Sequence, residues 1–92
     1  MKLRIDKQDT QKGQLKIPKG YRLIEDYEAC KEYRTNKKLK ELMLKEWIWV
    51  NTINGTRAAG LYYVGGGFLV VGLDDLNYCG RSRGVFVKKV GR

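Results

Sequence analysis

The sequence contains no histidine. That excludes histidine-based nucleophilic triads and imidazole metal ligands. Cysteine is scarce: Cys30 and Cys79 are the two present, and neither belongs to a CxxC pair. A zinc set is therefore not expected. The opening residues, Met1-Lys2-Leu3-Arg4-Ile5-Asp6, are broken by charge at once and hold no apolar signal core. The expectation is synthesis and folding in a cytoplasm, without a signal peptide and with both thiols reduced. Long apolar runs are missing too. Phe68-Leu69-Val70-Val71 is among the longest and is far too short to span a bilayer. There is no GxxxxGK[ST] phosphate loop, and Gly65-Gly66-Gly67 is not followed by a helical pattern, so it fails as a dinucleotide fingerprint. Asp74-Asp75 is the one acidic pair in the C-terminal half, and spacing supplies no third ligand. Cys79 has no base beside it in sequence. No catalytic residue, metal or cofactor is expected, and the chain reads as a non-enzyme.

What is present fits one small domain, 1–92, with an ordinary apolar fraction and one modest core. The net charge of +9 raises the question of a nucleic-acid partner. Its distribution argues otherwise. Residues 1–50 hold thirteen Lys and Arg against eight Asp and Glu, whereas residues 61–80 hold no Lys or Arg at all. The basic excess belongs to the scaffold and the chain ends.

Hydrophobic patterning divides the chain. Leu3 and Ile5, then Leu15 and Ile17, suggest two short strands around a turn at Lys12-Gly13. Tyr21-Arg22-Leu23 leads into a helix over about 25–34, with early acids and late bases that suit the helix dipole. Leu39, Leu42 and Met43 mark a second helix to about Glu46. From Trp47-Ile48-Trp49-Val50 the pattern turns to β, and Asn54-Gly55 signals a tight hairpin. Strands are expected from Arg57 to Tyr63, from Phe68 to Val71 with Phe68 and Val70 buried, and from Gly84 to Lys89. Gly72–Gly80 reads as a loop. Two helices followed by a run of antiparallel strands make an α+β domain.

One compositional gap stands out. Lys, Glu, Gln, Met and Trp occupy twenty-two of residues 1–50 and none of residues 51–87. At the whole-chain rate that window would hold about ten of them. Strand propensity accounts for the loss of Lys and Glu but not of Trp and Met, which suit strands and cores. These five are the residues that an Asn codon cannot reach when only its adenines change. The residues seen from Tyr63 to Cys79 are among those it can reach.

Here the chain resembles the variable proteins of diversity-generating retroelements, which are built on a C-type lectin-like fold. Gly20-Tyr21-Arg22-Leu23 is similar to the GWRLP-type opening of that fold and of its formylglycine-generating relatives, with Ile24 where proline is usual. Trp47-Ile48-Trp49 resembles the central strand after the helices, and Gly80-Arg81-Ser82-Arg83-Gly84-Val85-Phe86-Val87 resembles the closing segment. The resemblance implies a small C-type lectin-like domain whose ends pair, Lys2–Ile5 against Val85–Lys89. It implies a hypervariable ligand-binding region at about 61–79, diversified by adenine-specific mutagenesis, with Tyr63, Val64, Gly66, Leu69, Val71, Leu73, Asp74, Asp75, Leu76, Asn77, Tyr78 and Cys79 facing a variable protein or cell-surface target. The formylglycine-generating relatives work through a cysteine pair. Cys79 has no partner in the C-terminal part, so that activity is not carried over.

Chemistry supports a binding tract independently, because Tyr and Leu supply contact area, Asp and Asn directed hydrogen bonds, and Gly adaptability. The alternative is a small basic nucleic-acid-binding module, with Arg81, Arg83, Lys88, Lys89 and Arg92 on phosphates and Tyr62, Tyr63 and Phe68 as stacking platforms. The aromatic tract lacks the interleaved Lys or Arg that such a mode needs. A third reading is a subunit of a larger assembly, held through Trp47–Val50.

Overall fold

A strand that is to be covered on both faces must be apolar on both, and Val85-Phe86-Val87 meets that condition. The computed structural model describes residues 1–74 and 80–90. Its elements are β1 (Leu3–Gln11), β2 (Tyr21–Leu23), α1 (Asp26–Glu32), α2 (Lys37–Lys45), β3 (Ile48–Thr52), β4 (Gly55–Tyr63), β5 (Leu69–Leu73) and β6 (Arg81–Lys88). Among the described residues the sheet runs β1-β6-β3-β4-β5, with β2 also on β6. One edge of β6 bonds β1 antiparallel, pairing Leu3 with Val87 and Ile5 with Val85. The other edge takes β3 in parallel at Arg83 and Gly84, then β2 antiparallel from Phe86 to Lys88. The architecture is α+β, and the two ends of the chain pair as expected.

Side chains alternate across the sheet with period two. Ile48, Val50, Ala59, Leu61, Val85 and Val87 meet Ile24, Ala29, Tyr33, Leu39 and Met43 on the helix side. Trp49, Ala58, Phe86 and Leu23 form a smaller cluster on the other side, with Leu15 and Tyr21 packed against it. The Trp49 indole N–H donates to the Thr10 carbonyl at 2.9 Å, which ties this cluster to β1. Helix starts are fixed locally. Glu28 accepts from the Glu25 backbone N–H at 2.9 Å and takes both Arg22 terminal nitrogens at 2.6 and 2.7 Å. The Arg22 bonds, with help from the Glu25 N–H, hold the Glu28 carboxyl below its ordinary range. Asn36 caps α2 by accepting from the Leu39 N–H at 3.0 Å.

Several expectations need correcting. Residues 3–11 form one strand with a register shift between Ile5 and Asp9, and Leu15 and Ile17 lie in the connection after it. Tyr21–Leu23 is a strand rather than a helix lead, because β3 leaves the far half of β6 open and these residues fill it. At the hairpin only Gly55 has positive φ, 112°, while Asn54 does not. The Thr52 hydroxyl closes the turn by donating to the Gly55 carbonyl at 2.7 Å and accepting from the Asn54 N–H at 3.1 Å. β5 runs on to Leu73, so Gly72 and Leu73 belong to a strand. Trp47 precedes β3 and is 36% exposed, unlike Trp49 at 0%. Cys30 is half-buried in α1, and burial, then the nearby Asp26 charge, pushes its thiol upward. It is a protonated thiol at neutral pH. Cys79 lies outside the described residues.

Replacing Trp49 or Phe86 by Ala should cost about 3–5 kcal/mol, because each leaves a cavity in a sealed cluster. Trp47→Ala should cost far less, and chemical denaturation of the three variants compares them. A second expectation concerns Asp6, whose carboxyl oxygen would lie 2.5 Å from a Cβ at Gly84. Burial raises its pKa, and the charges of Arg4 and Arg83 offset this only in part. A carboxyl raised in the folded state contributes stability at acid pH and loses it as pH rises through the folded value. Asp6→Asn should therefore raise the melting temperature at pH 7 and have little effect near pH 3.

Candidate functional site

The outer end of the sheet is the β4–β5 ribbon, and its register decides which candidate residues meet. Tyr63 pairs with Leu69, Tyr62 with Val70, Leu61 with Val71, Gly60 with Gly72 and Ala59 with Leu73. Opposed residues share a face. Tyr63, Leu69, Val71 and Leu73 thus lie on the helix side. Leu69 and Val71 are half-buried there against the main core. Tyr63 is 65% exposed and Leu73 is exposed as well. The expected burial of Phe68 is overturned, since it is 70% exposed; Val70 is half-buried, on the face away from the helices, and Leu69 and Val71 are the pair that face the main core. Phe68–Val71 is apolar throughout, so nothing in it marks the outward side. The glycine turn sets the register, and a slip of one residue exchanges the faces.

That turn is closed by the Val64 N–H donating to the Phe68 carbonyl at 2.8 Å and the Gly67 N–H to the Val64 carbonyl at 3.0 Å. Gly66 and Gly67 have φ of 84° and 80°, a region side-chain-bearing residues avoid. Val64, Gly66 and Phe68 are all exposed at this tip.

On the opposite face the paired glycines Gly60 and Gly72 leave a bare floor. A Cβ at Gly60 would lie 3.2 Å from the Trp47 ring, and one at Gly72 would lie 2.1 Å from the Tyr62 ring. The Trp47 ring therefore lies over the Gly60 backbone, and an edge of the Tyr62 ring meets Gly72, each ring with much of its surface open to solvent. Trp47, Tyr62, Gly60, Met43 and Leu44 line a cleft of about 130 Å³. Trp47 is absent from the sequence-derived set, and Tyr62 and Phe68 entered only as stacking platforms of the alternative reading. The signal for the first two was the glycine opposite each ring, which becomes visible once register is known.

Asp74 is half-buried at the end of β5. Its N–H donates to the Ala58 carbonyl at 2.8 Å, and its own carbonyl accepts from Arg57 Nε at 2.6 Å. Asp75, Leu76, Asn77, Tyr78 and Cys79 lie outside the described residues. Among those described, no cluster of acidic or cysteine side chains could hold a metal. No described helix is long and apolar enough to cross a membrane.

The basic candidates are elsewhere. Arg83 is engaged by Glu46 at 2.5 Å and by the Asp6 carbonyl at 3.1 Å. Arg81 reaches the Asp9 carbonyl at 3.1 Å. Lys88 and Lys89 flank a broad cavity of about 710 Å³ together with Lys2 and Arg22. Ala59, Ile48 and Arg83 are level in the sheet. Tyr63 lies four residues from that level in one direction and Lys88 five in the other, which separates them by about 30 Å. Arg92 lies outside the described residues.

Comparison with protein-family models, curated proteins and solved structures finds no match for this chain.

Gly72→Ala should drive the Tyr62 ring off the sheet into solvent. Because that ring is half-exposed already, the stability cost should be only about 1 kcal/mol. The check is the nuclear Overhauser contact between the residue 72 backbone protons and the Tyr62 ring protons, which should weaken or vanish in the variant.

Proposed function

We propose that the protein is a non-catalytic binding protein whose recognition surface is the tip of the β4–β5 ribbon together with the segment that follows it. The observation that carries this reading is the exposure of four rings at one end of the ribbon: Trp47 and Tyr62 on the glycine-floored face, Tyr63 on the helix face and Phe68 at the glycine turn. Rings held on backbone present area at little entropic cost, and solvent-exposed aromatics gathered in one place are typical of interaction sites. The partner is a protein or a cell-surface ligand. Phosphate recognition fits less well, because Arg81 and Arg83 bond within the fold, Lys88 and Lys89 sit at the far end of the sheet, and Lys45 at the Trp47–Tyr62 cleft stands beside Glu46.

The finer reading is a surface diversified by adenine-specific mutagenesis, within the lectin-like family the sequence resembles. The compositional gap over 51–87 supports it. Packing adds a constraint. Leu69 and Val71 touch the core, so related copies should stay apolar there while varying freely at Tyr63, Val64 and Leu73. Neighbouring DNA that encodes a reverse transcriptase and a near-copy of codons 60–84, differing only at adenines, is the expected genetic context.

The combined variant Tyr62→Ser, Tyr63→Ser, Phe68→Ser should retain its melting temperature within a few degrees, since exposed positions cost little, about 0.5 kcal/mol each. Unfolding of that variant would make the tip structural and end the reading. Single-stranded DNA should bind weakly and release steeply with added salt. Submicromolar affinity at physiological salt, abolished by Tyr62→Ala or Phe68→Ala, would transfer the tip to the nucleic-acid reading.

A further inference from the structure

The two edges of the sheet are treated differently. β1 carries Arg4, Asp6, Lys7 and Asp9 and has a register shift between Ile5 and Asp9. Charge and irregularity are the usual guards against edge pairing. β5, at the other edge, is Leu69-Val70-Val71-Gly72-Leu73, with no charge, no proline and no shift in its pairing to β4.

Its outward backbone groups can be identified. In an antiparallel ladder, alternate residues turn both N–H and C=O toward the partner. The Phe68 carbonyl accepts from Val64, just past β4, and the Asp74 N–H donates to Ala58 of β4, so the even-numbered residues face inward and Leu69, Val71 and Leu73 face out. The Leu69 carbonyl takes one long bond, 3.4 Å, from the Tyr33 hydroxyl. Among the described residues the outward groups of Val71 and Leu73 bond nothing.

We propose that two copies of the chain pair antiparallel along β5 about a two-fold axis at Val71. The pairing sets Val71 against Val71 of the second copy and Leu69 against Leu73. All three are outward-facing positions, so donors meet acceptors in both directions. Charge selects this edge. Each copy carries +9, and residues 61–80 contain no Lys or Arg, so the paired strands themselves appose no cations. Of the cations beside β5, Arg57 on the Asp74 carbonyl falls opposite the Phe68 end of the second copy, and Arg34 over the Tyr33 ring falls toward its Leu73–Asp74 end, so the two-fold axis sets neither against its own counterpart. A five-residue pairing buries less than about 1,200 Å² in total, so the association is weak and reversible. The axis stands perpendicular to the sheet and keeps like faces on one side. The two Phe68 tips then lie six strand residues apart, about 20 Å, both open. Such a dimer engages a repetitive target bivalently. The pairing itself does not depend on the recognition reading.

Sedimentation equilibrium tests it. The mass should rise from 10.6 kDa toward twice that value between about 10 µM and 1 mM protein. Val71→Pro removes an outward N–H without touching the β4 ladder and should remain monomeric throughout. The Tyr62→Ser, Phe68→Ser variant should dimerise as the parent does. Should Val71→Pro fail to fold, amide exchange of the parent decides: Val71 and Leu73 should exchange more slowly in the concentrated sample. A parent monomeric at every concentration, a dimer that survives Val71→Pro, or exchange at these amides that ignores concentration would each overturn the proposal.

Discussion

β6 is bonded along both edges and covered on both faces, and the remaining elements are placed by reference to it. Its one edge is long enough for β1. Its other is divided between β3 and β2, so segments from the N-terminal third, the middle and the end of the chain meet on eight residues. Contacts this distant in sequence are entropically expensive to form, and the apolar Val85-Phe86-Val87 offsets that cost by burying side chains into both clusters at once. The Trp49 indole bond to Thr10 and the Arg83 contacts to Glu46 and Asp6 then fix the angles at which β3 and β1 arrive.

Because cohesion is gathered around β6, the β4–β5 ribbon has less structural duty toward its tip. Burial along β4 falls off within a few residues, from Ala58, Ala59 and Leu61 to the exposed Tyr62 and Tyr63. The helices cover Leu61 and reach Leu69 and Val71, and beyond that they give out. Side chains at such a boundary can be exchanged at less cost to the scaffold than those in the core. The glycines serve the same division. Gly66 and Gly67 turn the chain, while Gly60 and Gly72 make room for the Trp47 ring face and the Tyr62 ring edge where side chains would otherwise fill the space.

Much of this organisation was legible from residue types. Charge bias located the first helix and apolar periodicity the second, and the run of branched and aromatic residues located β3, β4 and β6. Two features were not legible, for physical reasons. A three-residue strand such as Tyr21–Leu23 has no periodicity of its own and exists because β6 has an unfilled edge. The facing of Phe68–Val71 was unreadable because an all-apolar run has no polar phase, so the turn geometry and the buried Leu61 opposite Val71 decide it. Trp47 was misjudged on similar grounds. Its neighbours Ile48 and Trp49 are buried, but it stands one step before the strand, over Gly60 near the rim of the core.

The compositional gap and the packing constrain each other. A purely structural origin would place apolar residues where the core demands them, and Leu69 and Val71 conform to that. It would not favour Phe68 at 70% exposure, Tyr63 at 65% and Tyr62 at 50% within a few residues of one another, on a chain otherwise rich in surface lysine. Apolar rings in water at the end of a ribbon lower solubility and contribute little to folding. Lysine and glutamate would serve a mere scaffold surface better there, and those are among the residue types the tract lacks. The proposed recognition role would account for the rings there, and adenine-restricted change would account for the missing lysine and glutamate.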